Sequence, residues 1–319
     1  MKVSLSWLKE LVDYNLTPQE LADKLSLMTI GVKNLTPEYL ELDLTYNRGD
    51  LLSLRGVARE VAAITGSKIN FKDQSFPGFN LPEIKVNAGM VYCLAKIENL
   101  KVEHSNDTWV RKLSESGIRT INNIADVTNL IMLEYSQPMH AFDADKVKGG
   151  VFVRLAKKGE KIATLDNKTR NLSDEDLLIA DEKQAIGIAG VMGGKDSEIS
   201  EITTSILLEA AIFDPVSTRN TSKRHGLYSE ASKRFQHGLT KTNLLQALAA
   251  AIKMYEDLGG KLTALTLVGD LEDKPKTIKL TQQKINSLIG VNIPAEVVES
   301  SLESLGFELA SQGQAWEAK

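Results

Sequence analysis

Cysteine is almost missing from this 319-residue chain, with Cys93 the only one. One thiol excludes an internal disulfide and a cysteine-rich metal site, and it fits a reducing cytoplasm. Long apolar runs are missing too. The start, MKVSLSWLKELVDY, carries acidic residues where a signal peptide keeps a clean apolar stretch, so nothing targets the chain to a membrane. Positive charge is not in excess: the net charge of −4 argues against nucleic-acid binding by bulk electrostatics alone. No P-loop, Gly-x-Ser-x-Gly elbow, His-Glu-x-x-His pair or cysteine-nucleophile signature occurs, so function has to reside in a pocket.

What remains is 42% hydrophobic and 25% charged, the balance of an ordinary globular protein, at a length that favours two or three domains. Leu5, Leu8, Leu11 and Val12 have helical spacing, and Thr17-Pro18 starts a second helix through Leu21, Leu25 and Met28. Near the other end Ile285 to Ile289 is followed by Pro294, then Val297, Val298, Leu302, Leu305 and Gly306, with Gly31 at the matching place of the first copy, offset by one residue. This reads as a weak internal repeat, two small helical modules flanking a large centre. In the centre, VYCLAKI, VFVRLA, KIATL, RNLS, DLLIA, AIGIAGV, SILLEAA and KLTALTLV are strand candidates, interrupted by helices over 108–116 and 241–258. The fold class is therefore α+β. The charged stretch around Asp270 and Pro275 is the best linker, placing a boundary near residue 275.

Three stretches interrupt apolar structure with polar groups. In the first, Arg119 to Asp143, the residues Asn122, Asn123, Thr128 and Asn129 could brace a helix, and His140 could be a satisfied core histidine or part of a site. In the second, Gly187, Gly190, Gly193 and Gly194 allow close backbone approach, to a ligand or within a tight hairpin. In the third, Glu209 sits inside the apolar strand SILLEAA and has to be exposed, paired or functional, because burying a lone carboxylate is costly. Arg219, Lys223, Arg224, Lys233 and Arg234, beside His225 and His237, form either a solvated helix surface or a local basic face.

Taken together these stretches resemble the β subunit of bacterial-type phenylalanine-tRNA synthetases. The resemblance runs in family order through VSLSWLKELVDYNLTPQELADKL, LELDLTYNRGDLLSLRGVAREVA, GIRTINNIADVTNLIMLEYSQPMHAFD, AIGIAGVMGGKDSEIS, LLEAAIFDPVSTRNTSKRHGL and SEASKRF, nearly the whole chain. It implies three parts: an N-terminal helical module with its connection at 1–84, an editing domain at 85–272, and the start of a second, DNA-binding-like helical module at 273–319. It further implies an editing pocket that hydrolyses the ester of tyrosyl-tRNA(Phe), built from Asn123, Thr128, Asn129, His140, Gly190, Glu209, Ser229 and Ala231. Glu209 is the expected acceptor for the tyrosine hydroxyl, Thr128, Asn129 and His140 position ester and water, and no residue is assigned as a general base. Arg219, Lys223 and Arg224 become candidate tRNA contacts.

The implied partners are tRNA(Phe) and the synthetase α subunit, in a cytoplasmic α2β2 tetramer. No cofactor or metal is expected in this chain; ATP and Mg belong to the full synthetase, and this chain alone is not expected to aminoacylate. The sequence also departs from the family pattern. The oligonucleotide-binding-fold insertion that usually precedes LELDLT is replaced by a direct bridge over 31–39. Tyr46 and Gly49 stand where prolines are usual, and Gln236-His237-Gly238-Leu239-Thr240 replaces Glu-Arg-Gly-Val-Asp. A tRNA-binding scaffold with decayed editing is the competing reading, and a DNA-binding protein is a third, disfavoured by the acidic balance.

Overall fold

The computed structural model describes residues 1–72, 76–274 and 276–319. The first module runs β1 (Lys2–Ser4), α1 (Leu5–Leu11), α2 (Pro18–Met28), β2 (Gly31–Leu35), β3 (Tyr39–Asp43) and α3 (Leu54–Thr65). Thr17 starts α2 through a reciprocal capping box with Glu20, and Pro18 occupies the first helical turn, where its missing N–H costs nothing. A short 3-10 turn, Gly49–Leu52, leads into α3. The apolar sides of α1, α2 and α3 share one core through Leu8, Leu21, Leu25, Val57 and Val61.

The centre opens with β4 (Val86–Asn87), β5 (Tyr92–Glu98), α4 (Asp107–Glu115), α5 (Asn123–Tyr135) and β6 (Met139–Asp143). It continues through β7 (Val151–Leu155), β8 (Lys161–Ala163), β9 (Thr169–Asn171), β10 (Leu177–Ala180), β11 (Ala185–Ile188), β12 (Met192–Gly193) and β13 (Ile206–Ala211). It closes with α6 (Pro215–His225), α7 (Glu230–His237), α8 (Lys241–Asp257) and β14 (Lys261–Val268). Two larger sheets result, one ordered β14-β5-β13-β6 and one ordered β12-β11-β10-β7-β4, beside a two-stranded ribbon of β8 and β9.

Alternation along β13 divides the centre. Ile206, Leu208 and Ala210 join Cys93, Ala95 and Ile97 of β5 against α5 and α8. Leu207 and Ala211 join Tyr92 and Leu94 on the opposite face, toward the second sheet. Glu209 shares that second face by its place in the strand.

The last module contains β15 (Ile278–Thr281), α9 (Gln282–Ile289), α10 (Ala295–Ser304), β16 (Leu309–Gln312) and β17 (Ala315–Ala318). Its sheet order, β15-β17-β16, reproduces the β1-β3-β2 order of the first module, and both follow the same strand-helix-helix-strand-strand path. The internal repeat is thus a repeat of topology, and each flanking module carries a three-stranded antiparallel sheet beside its helices. Strands of three to five residues are too short to imprint a period-two pattern on the sequence.

Pro275 lies outside the described residues. The stretch before it is tied to the central fold: the Asp273 carboxylate accepts from the Lys241 and Thr242 backbone amides at 3.0 and 2.8 Å, capping α8. No helix among the described residues is long and apolar enough to cross a membrane.

Candidate functional site

A cavity of about 220 Å³ lies between the two sheets. One wall is β6 and β13, which pair antiparallel with Glu209 directly opposite His140. The second wall is the β11–β12 hairpin from Gly187 to Gly193, and the third is the start of α7 with Ser229, Ala231 and Phe235. Phe142, Leu165, Ile179 and Phe213 make the remainder apolar.

Local chemistry explains how these walls are held. α5 stops at Ser136 in the left-handed region (φ 63°), and the buried Gln137 amide then donates to the Pro138 and Ala211 carbonyls at 3.0 Å each, fixing where β6 begins. Ser229 caps α7 by accepting from the Ser232 amide, while its hydroxyl donates to the Val191 carbonyl at 2.9 Å. One side chain therefore joins the hairpin to the helix. The hairpin turns at Gly190, with φ 69°; a Cβ there would also press on Phe213, Thr218 and Phe235 at 3.0 to 3.2 Å. At Gly193 a Cβ would stand 2.5 Å from His140 Cε1 and 2.7 Å from Nε2.

The polar equipment of the cavity is sparse. Glu209 is 5% exposed, and its Oε2 has no hydrogen-bond partner among the described residues; neither has His140 Nε2, which is shut off from solvent although the histidine as a whole is half-buried. Burial pushes the Glu209 carboxyl up to about 8, moderated by the nearby Tyr92 hydroxyl. Tyr92 Oη is itself buried without a partner among the described residues, so the two groups feel each other without meeting in hydrogen-bond geometry. Burial lowers His140 to about 4. At neutral pH the cavity thus presents a carboxylic acid beside a neutral imidazole, whose ring lies edge-on to Phe142 at 4.5 Å. No group of three or more His, Cys, Asp or Glu that could hold a metal occurs among the described residues.

Of the eight residues expected in the pocket, the structure brings together His140, Gly190, Glu209, Ser229 and Ala231. Asn123, Thr128 and Asn129 stand on α5, whose Ile124, Val127, Ile131 and Tyr135 pack on the sheet face opposite Glu209, and none of the three lines the cavity. Asn123 instead accepts from the Glu103 amide and donates to the Lys101 carbonyl, and the Thr128 hydroxyl bonds its own helix at the Ala125 carbonyl.

Arg219 and Lys223 are exposed on α6. Arg224 differs from them: it is bound to Glu175 and to the fully buried Asp176, which also takes His225 Nε2 at 2.6 Å. Burial raises the Asp176 carboxyl, but the His225 and Arg224 bonds and the Ser173 amide outweigh it and hold it below the usual carboxylate range. Arg224 therefore fastens α6 to the start of β10. The wall residues Phe213 and Phe235 were not singled out from the sequence, since an aromatic in an apolar context looks like core.

The family described as B3/4 domain matches residues 88–260, just over half of the chain. The phenylalanine–tRNA ligase beta subunit of Latilactobacillus sakei is 40% identical over 291 residues, covering 87% of this chain and 36% of the relative. That of Carboxydothermus hydrogenoformans is 41% identical over 288 residues, with the same coverage of 87% and 36%. This chain thus spans about a third of the length of the curated relatives it matches. A solved N-terminal fragment of the phenylalanyl-tRNA synthetase beta subunit from Pyrococcus horikoshii covers 100% of this chain and 92% of its own, at 16% identity and a TM-score of 0.48, too loose a likeness to carry an argument. The chain belongs to the B3/4 domain family, and over most of its length it is a relative of phenylalanine–tRNA ligase beta subunits.

Proposed function

We propose that the cavity is an editing site that hydrolyses the ester of tyrosyl-tRNA(Phe), serving a phenylalanine–tRNA ligase in the cytoplasm together with a catalytic α subunit. The observation that carries this reading is the pairing of an apolar cavity with two unpartnered buried polar atoms, Glu209 Oε2 and His140 Nε2. An aromatic ring suits the walls. A phenol hydroxyl suits a neutral carboxylic acid, which can accept through its carbonyl and donate through its own O–H. Phenylalanine leaves that acid unpaired, at a cost of about 1–3 kcal/mol, roughly a five- to 150-fold preference for tyrosine.

In the reaction, water adds to the ester carbonyl carbon, the bond to the ribose oxygen breaks, and the proton lost by water ends on that oxygen. His140, with its conjugate acid near 4, is a poor general base at neutral pH, so its role is to orient water or ester by hydrogen bonding. Thr128 and Asn129, which the family pattern assigns to the ester, would have to reach it from α5. ATP and Mg enter, on this reading, only with the charging parts of a full synthetase.

Deacylation of tyrosyl-tRNA(Phe) and phenylalanyl-tRNA(Phe) by the chain, by Glu209→Ala and by His140→Ala tests it. Glu209→Ala is expected to erase most of the tyrosine preference, and His140→Ala to lower kcat. Wild-type hydrolysis no faster than buffer would sink the proposal in favour of a scaffold whose editing has decayed.

A further inference from the structure

The α7 wall of the cavity belongs to no sheet, and its outer side rests on the first module. Arg234 has no solvent exposure. Its Nε and Nη2 donate to the Leu52 carbonyl at 3.2 and 3.0 Å, while Nη1 donates to the Glu230 carbonyl and carboxylate at 3.0 and 2.6 Å. Leu52 ends the 3-10 turn before α3. A second contact closes at the end of the helix. The Tyr46 ring lies 4.7 Å from the His237 ring, its hydroxyl donates to the Gln236 carbonyl at 2.9 Å, and His237 Nδ1 donates to the Lys233 carbonyl at 2.7 Å.

Gly49 is what allows this approach: a Cβ there would stand 2.7 Å from His237 Cβ, a distance no side-chain rotation relieves. Tyr46, Gly49, Gln236 and His237, on two segments 190 residues apart, meet at this one contact.

We propose that residues 46–52 are a positioning clamp that sets α7, and with it Ser229, Ala231 and Phe235, against the cavity. Arg234 is one jaw and the Tyr46–Gly49–His237 contact the other. Its effect on catalysis rests on the editing reading; its effect on α7 does not. Tyr46 is 65% exposed, so its loss leaves the core intact.

The experiment is amide hydrogen exchange of segment 230–237 in the whole chain, with β13 as internal control, alongside deacylation kinetics. Tyr46→Ala is expected to speed exchange of α7 about tenfold while β13 stays unchanged. It should also raise KM for tyrosyl-tRNA(Phe) severalfold at nearly constant kcat. Gly49→Ala should loosen α7 in the wild-type background and have no added effect once His237→Gly has removed the opposing Cβ. Unchanged α7 exchange in both single variants, or additive effects of Gly49→Ala and His237→Gly, overturns the clamp. Loosened α7 in a chain with no deacylation supports the clamp and overturns the editing reading alone.

Discussion

Glu209 and His140 face each other across one strand pair with opposite proton preferences, and the fold is charged for both. An unfolded glutamate titrates near 4.5 and Glu209 in the fold at about 8, so between these values the native state holds the extra proton and stability falls as pH rises. His140 drops from 6.5 to about 4, so there the unfolded state holds the extra proton and stability is lost as pH falls through that window. Above pH 6.5 only the glutamate matters much. Denaturant unfolding at pH 6.5 and 8 is therefore expected to show the wild type losing about 1–2 kcal/mol relative to Glu209→Gln, which keeps the shape and cannot ionise. An equal pH response of the two proteins would mean that Glu209 is already solvated or paired.

Glu209 was legible in advance because a carboxylate breaks an apolar strand. Arg234 and Asp176 were not, although both are fully buried, because each sits in a polar stretch where a charge looks solvated and only the fold reveals its partner. Arg224 shows the same blindness from the other side: within a basic run nothing distinguishes the one arginine tied to Asp176 from the exposed Arg219 and Lys223.

The elements of the centre were readable, since five of its strands are apolar enough to betray themselves over four or more residues. The hairpin that faces Glu209 across the cavity was readable only in composition. Four glycines announced close approach without saying which one meets what. In the fold Gly187 and Gly193 pair across the two strands, and bare backbone at Gly193 lies under the His140 ring. Gly190 serves the turn, and Gly193 serves the pocket. Gly193→Ala is accordingly expected to displace the imidazole, cost about 1–3 kcal/mol of stability by overpacking, and lower kcat/KM for tyrosyl-tRNA(Phe) at least about tenfold. Equilibrium unfolding together with deacylation measures both. Full activity in this variant would remove His140 from the proposed site.

At the scale of the whole molecule, charge has to be placed rather than accumulated. With a net charge of −4 the chain as a whole repels a polyanion, and attraction depends on a local surface. Arg219 and Lys223 lie one turn apart on the exposed side of α6, ahead of the exposed Tyr228 and of Ser229 at the cavity wall. On the editing proposal, this face is the surface offered to an RNA end whose terminal ester enters the cavity. Each phosphate neutralised on a single strand contributes about 0.7 to the slope of log K against log salt. Removing both charges by Arg219→Ser with Lys223→Ser should thus flatten the slope for tRNA(Phe) binding by about 1.4 and weaken binding at low salt, leaving thermal stability unchanged. Arg224→Ser is the contrasting case. It strips Asp176 of one of its three donor partners inside the fold, so the melting temperature should drop while the salt slope hardly moves. If instead all three substitutions change the slope alike, α6 acts as a diffuse basic surface and Arg224 is released from Asp176 when RNA binds.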